Sequence, residues 1–203
     1  MTEQAGQGGQ PPVPTLNIAN VLTTIRIIMV PFFIWALLAD NSQQGTWRWV
    51  ALVIFVLAMY TDKLDGDLAR SRGLITNFGK IADPIADKLL TGSALVCLSI
   101  IHELPWWVTL VILVREWGIT LLRFVVIKYG VIAANMGGKI KTVLQAVSIG
   151  LYLLPLTHTV DWLNTFAWWL MLLTMAVTVV TGIEYIFKAA ALYGAHRKNQ
   201  SQN

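Results

Sequence analysis

Charge is scarce in this chain. Only 13% of its 203 residues are Asp, Glu, Lys or Arg, against 56% hydrophobic, where a soluble domain carries about a quarter charged residues. An ordinary water-soluble domain is therefore excluded, and an integral membrane protein is expected. Cysteine is nearly absent: Cys97 stands alone, so no intramolecular disulfide and no Cys-rich metal site can form. The net charge of +4 is modest and reads as anchoring at the inner face of a membrane, not as nucleic-acid binding. Residues 1–16 hold no Lys or Arg and no apolar core, which excludes a secretory signal and suggests a disordered tail. No internal repeat and no P-loop is visible. His102, His158 and His196 do not cluster, and no chemistry is assigned to them.

What is abundant is apolar sequence. A span needs about 20 mostly apolar residues, and six stretches qualify: 18–39, 47–69, 80–101, 105–128, 139–157 and 162–188. The expected fold is an all-α membrane protein with six transmembrane helices over residues 17–190, between tails at 1–16 and 191–203. Arg70, Arg72 and Lys80 follow the second span; Lys128, Lys139 and Lys141 lie at the loop after the fourth; Lys188, Arg197 and Lys198 follow the sixth. The alternate loops hold only Arg48. Because Lys and Arg stay inside, both termini are expected to be cytoplasmic. Trp47, Trp49, Trp106, Trp107 and Trp162 gather at the opposite ends, where an interfacial aromatic belt belongs.

The scarce acidic residues are unevenly spread. Of 11 in the chain, five fall between Thr61 and Leu90: Asp62, Asp65, Asp67, Asp83 and Asp87. Helical residues turn by about 100° each, so Asp62, Asp65, Gly66 and Ala69 share one face with Arg70 at its margin. Gly79, Asp83 and Asp87 share a face of the next helix. A short turn makes the two helices antiparallel neighbours, and four carboxylates can converge across the pair. Asp67 points elsewhere and suits an i,i+4 partnership with Lys63. Four carboxylates in a low-dielectric site repel one another, and divalent cations remove that conflict. All-oxygen ligands favour Mg²⁺ or Mn²⁺, and two such ions form a clamp for phosphoryl chemistry. Gly66 and Ala69 leave room beside the carboxylates, Gly79 opens the facing helix, and Arg70 suits a phosphate; helix packing alone also favours such small residues.

The spacing Asp62-x2-Asp65-Gly66-x2-Ala69-Arg70-x8-Gly79-x3-Asp83-x3-Asp87 resembles the signature of the CDP-alcohol phosphotransferases at every fixed position. The resemblance implies a six-span fold, usually a homodimer, that moves a phosphatidyl or similar group from a CDP-linked lipid to an alcohol and releases CMP. It makes Asp62, Asp65, Asp83 and Asp87 the metal ligands and Asp87 also the general base. It places Gly66, Ala69, Arg70 and Gly79 around the CDP moiety, with Thr76. The flanks "LNIANVLTTIRIIMVPFF", "TNFGKIADPIADKLL", "VREWGITLLR" and "GGKIKTVLQ" are similar to the branch of that family that makes phosphatidylglycerophosphate. One departure is Lys63 and Asp67, where many of that branch carry aromatic or apolar residues; both lie off the metal face.

That branch implies CDP-diacylglycerol as donor and glycerol 3-phosphate as acceptor, with the active site on the cytoplasmic side of a bacterial plasma membrane. A phosphorylated acceptor needs a cationic pocket. Arg115 and Arg123 lie inside the fourth span, where an arginine is costly, and Glu116 can satisfy one of them. Lys139 and Lys141 open the fifth span, and the four together suit a phosphate; the lysines serve equally as positive-inside anchors. Arg26 in the first span has no assigned partner. Asn20 and Thr23 suit either contact with the nucleotide or a helix start. Inositol phosphate, phosphatidylglycerol or serine are alternative acceptors. A divalent-cation transporter would need acids near mid-bilayer and a path on both sides, and the outer loops carry no matching cluster.

Overall fold

The computed structural model describes residues 18–72, 77–126 and 136–200. Within them every regular element is a helix, and there are no strands. Helices α1 (Ile18–Asp40), α2 (Thr46–Arg72), α3 (Asn77–Ile100), α4 (Trp106–Val126) and α5 (Met136–Leu153) follow the first five expected spans closely. A short α6 (Leu156–Thr159) then leads into α7 (Asp161–Gln200). The 40 residues of α7 run unbroken through the stretch assigned to the C-terminal tail. At 1.5 Å per residue that is about 60 Å, twice the thickness of a bilayer core.

Two helical stretches, Asn20–Asp40 and Asp161–Gly194, are long and apolar enough to cross a membrane by composition alone. The others are interrupted by the residues that interest us: aspartates in α2 and α3, Arg115, Glu116 and Arg123 in α4, Lys141 in α5. The exterior is oily nonetheless. Val114, Trp162, Val180 and Phe187 are each more than 60% exposed. A soluble monomer rarely presents so much contiguous apolar surface, so the exterior is consistent with a membrane protein.

The packing departs from expectation in one instructive way. The second and third helices do not form a simple pair. Each rests mainly on α1, and they touch one another only slightly. Small buried residues explain the fit: Ala36 of α1, Ala51 and Ala58 of α2, and Ala86 and Ala94 of α3 are fully buried, and small side chains let helix backbones approach closely. A second group, α7 with α4 and α5, joins the first through α2–α5, α3–α4 and α3–α5 contacts.

The turns at one end of the bundle are tightly built. Asn41, Ser42 and Gln44 adopt positive φ, and the Asp40 carboxylate accepts the amides of Gln44 at 3.1 Å and Gly45 at 2.8 Å. This supplies an anion at the start of α2, where unpaired amides favour one. Helix α3 ends in a Schellman motif: Glu103 N–H donates to Leu98 C=O and His102 N–H to Ser99 C=O. His102 occupies the left-handed position where glycine is usual, at φ 62°.

Candidate active site

The opposite end of the bundle collects the start of α1, the end of α2 and the start of α3. Arg26, eight residues into α1, is completely buried. Its Nη1 meets Asp62 Oδ1 at 2.6 Å and its Nη2 meets Asp65 Oδ2 at 2.6 Å. Its Nε donates to the Ala58 carbonyl at 3.2 Å. One guanidinium thus ties together two carboxylates one helical turn apart, the geometry for which its planar fork is suited. Thr23, three residues earlier, donates its hydroxyl to Asp83 Oδ1 at 2.6 Å and lies 3.4 Å from Asp65 Oδ2. The shared face expected for these aspartates is present, but α1 links its two halves. Asp87 is held 3.9 Å from Lys88, and Asp62 is within electrostatic reach of Asp87, Asp65 and Asp83.

This donor set suits divalent cations in kind. Four carboxylates face one seam, and among the described residues the cations within reach of them are Arg26, Lys88 and Lys141, the last already paired with Glu116. Among the described residues, no three His, Cys, Asp or Glu side chains converge on one point; the carboxylates are drawn to Arg26 and Thr23. Asp65 is buried, while Asp62, Asp83 and Asp87 are half-buried, so three of the four face a partly open surface. Gly66 lies half-buried beside them.

A second polar cluster adjoins the first. Glu116 of α4 and Lys141 of α5, both buried, form an ion pair through Glu116 Oε1. The same oxygen takes Arg115 Nη1 at 3.1 Å. Arg115 Nη2 reaches across to α7 and donates to Thr181 Oγ1 at 2.7 Å. Lys141 and Glu116 are both within electrostatic reach of Asp87, so the cationic cluster borders the aspartates. Among the described contacts of this cluster Arg123 takes no part. Eight residues of helix carry Arg123 about 12 Å from Arg115 and turn it about 80° away, and it is exposed, over the Tyr185 ring at 5.8 Å.

Asn20 is buried in the first turn of α1. Thr23 is not a helix-start residue; its hydroxyl serves the aspartates. Thr76 lies outside the described residues, as do the side chains of Ala69, Arg70 and Lys139. For Gly79 only its place in α3 is described.

Two features escaped the sequence reading. Arg26 was unassigned, because nothing in local spacing links it to acids 36 and 39 residues away. The other is a polar network at the far end. Arg48, also completely buried, pairs with Glu103, lies 3.9 Å from Asp40 and donates to the Tyr152 carbonyl at 2.7 Å. His158 Nε2 stands 3.2 Å from Glu103 Oε2, and Gln44 Nε2 donates to Glu103 Oε1 at 3.0 Å.

The family model described as CDP-alcohol phosphatidyltransferase matches residues 16–180. A "Probable phosphatidylglycerophosphate synthase" of Mycobacterium tuberculosis is 48% identical over 185 residues, covering 91% of this chain and 87% of the relative. A "CDP-diacylglycerol--glycerol-3-phosphate 3-phosphatidyltransferase" of Bacillus subtilis is 38% identical, covering 85% and 94%. One of the same description from Rickettsia felis is 34% identical, covering 87% and 97%.

Proposed function

The chain belongs to the CDP-alcohol phosphatidyltransferase family, and on that premise we propose that it transfers the phosphatidyl group of CDP-diacylglycerol to glycerol 3-phosphate. The products are phosphatidylglycerophosphate and CMP. The observation that carries this reading is the junction of the two clusters: carboxylates gathered by Arg26 and Thr23, bordered by Lys141, Glu116 and Arg115.

The family is generally dependent on divalent cations. Asp62, Asp65, Asp83 and Asp87 would hold two, Mg²⁺ or Mn²⁺, which when bound neutralise the pyrophosphate and the departing CMP. Asp87 accepts the proton of the acceptor hydroxyl as its oxygen bonds to the lipid phosphorus and the bond to CMP breaks. Gly66, Ala69, Arg70, Gly79 and Thr76 border the nucleotide, with Asn20 at the start of α1. Arg115 and Lys141 hold the acceptor's phosphate, with Arg123 and Lys139 at the approach. Glu116 keeps these two cations from repelling one another. Six spans with both termini in the cytoplasm leave the nucleotide in water and the acyl chains in lipid, and the working unit is a homodimer.

The test is CMP release by the purified protein in detergent with CDP-diacylglycerol, Mg²⁺ and one acceptor at a time. Release with glycerol 3-phosphate, abolished by EDTA, is expected. Release with inositol phosphate alone would reassign the acceptor, and no release with any acceptor would overturn the enzymatic reading.

A further inference from the structure

Arg115 reaches its position in an unusual way. It crosses from α4 onto α7 and lies flat over Gly182. A Cβ at Gly182 would stand 2.9 Å from Arg115 Nε and 3.0 Å from its Cγ, closer than real Cβ contacts come, so any other residue there would displace the side chain. The neighbouring Thr181 completes the seat. Its hydroxyl proton is directed to the Val177 carbonyl at 2.8 Å, which leaves an oxygen lone pair for Arg115 Nη2 at 2.7 Å. At the other edge, Glu116 Oε1 holds Nη1. The guanidinium is fixed at both terminal nitrogens, while its buried Nε has no hydrogen-bond partner among the described residues.

We infer that Gly182 and Thr181 of α7 are positioning residues that aim Arg115 at the phosphate of the acceptor. The inference rests on the acceptor reading above and adds α7 to the elements that determine specificity. Helix α7 carries none of the signature aspartates; it meets Arg115 through Gly182 and Thr181. A charged donor held in advance loses little freedom on binding. A shift of about 1 Å in such a group weakens its use by roughly 10- to 100-fold. The effect falls on the acceptor and not on the CDP-lipid, because Arg115 contacts the Glu116–Lys141 cluster, whereas Arg26 and Thr23 organise the aspartates.

The experiment is steady-state CMP release by purified Gly182→Ala, Thr181→Val and Thr181→Ser proteins, with each substrate varied in turn. For Gly182→Ala and Thr181→Val the KM for glycerol 3-phosphate should rise about tenfold, equivalent to about 1.4 kcal/mol. The KM for CDP-diacylglycerol should stay within about twofold of the original. Thr181→Ser keeps the hydroxyl and should restore the acceptor KM. If Gly182→Ala does not fold, the Thr181 pair decides alone. An unchanged acceptor KM, or equal rises in both KM values, would overturn the positioning role. Failure of the unaltered protein to use glycerol 3-phosphate would instead overturn the acceptor reading and take this inference with it.

Discussion

Two arginines, Arg26 and Arg48, lie completely buried at opposite ends of the bundle, and each meets two acidic side chains. Their surroundings differ. Arg48 joins elements: Asp40 of α1, the Glu103 turn after α3 and the carbonyl of Tyr152 in α5, with His158 of α6 closing on Glu103. Asp40 is buried, and the Glu103 side chain is only 7% exposed. Arg26 instead answers two acids of one helix, with Asp83 and Asp87 nearby and three of the four carboxylates half-buried. The first arrangement clamps three turns together. Among the described residues, the second leaves negative charge over at a partly open seam. A buried arginine between acids is therefore no sign of function by itself; the excess of carboxylate and its access are.

The comparison breaks most sharply with one substitution at each end. Asp87→Asn should lower the rate of CMP release by about 10²- to 10⁴-fold, the range for loss of a general base, with the melting temperature little changed. Glu103→Gln should do the reverse. It leaves the buried Arg48 charge with only the more distant Asp40 carboxylate, a loss of up to about 3–5 kcal/mol of stability, while the specific activity of the folded fraction is retained. Thermal melts in detergent beside CMP-release assays separate the two. A Glu103 variant that is stable but inactive would show that the outer network reaches the site.

Arg26→Gln and Arg48→Gln sharpen the contrast. Each removes the countercharge of a buried acid, Asp65 or Glu103, at a cost of similar size. Divalent cations should then distinguish them. At an Mg²⁺ concentration about 100 times the dissociation constant, binding to the folded state returns about 2.7 kcal/mol. Mg²⁺ in place of EDTA should raise the melting temperature of the Arg26 variant and leave that of the Arg48 variant where it was. Equal responses would remove the distinction between a metal-binding end and a clamped end.

Acid provides a gentler probe of the clamp. Burial alone would raise the pKa of Glu103, but the adjacent His158 and the charge and hydrogen bond of Arg48 outweigh it and hold the carboxyl below its ordinary 4.5. A depressed pKa adds stability that is complete above the unfolded value and is lost as pH falls through the folded one. The clamp should hold across neutral pH and weaken only below about 4.5. Glu103→Gln should lack that acidic component in melts taken against pH.

Much of this was legible in the sequence where the information is local. The eight-residue signature lies on two consecutive helices, and spacing alone gives its shared face. Five of the six apolar stretches became helices close to their expected bounds, since length and hydropathy decide that much; the sixth runs on to Gln200. Contacts made across the chain were not legible. No periodicity relates Arg26 to Asp62, Arg48 to the Tyr152 carbonyl 104 residues away, or Arg115 to Thr181 at a separation of 66. The intervening place of α1 between α2 and α3 was hidden for the same reason. Arg123 is the reverse case: its place on the same helix suggested one grip with Arg115, and the structure has it exposed over Tyr185.

The smallest expected effect tests the same logic within one helix. Asp67 lies two residues beyond Asp65 in α2, yet it is exposed where Asp65 is buried. Two residues turn the helix by about 200°, so the two carboxylates point to nearly opposite sides. An exposed charge contributes about 0–1 kcal/mol through its pairings, less in salt. Asp67→Asn should therefore change CMP release by less than about twofold and leave both the melting temperature and its response to Mg²⁺ unaltered. Asp65→Asn, the same chemical change on the Arg26 side, should abolish the Mg²⁺ response. A loss at Asp67 approaching that at Asp65 would mean that the acidic cluster acts through its total charge and not through the face that Arg26 and Thr23 assemble.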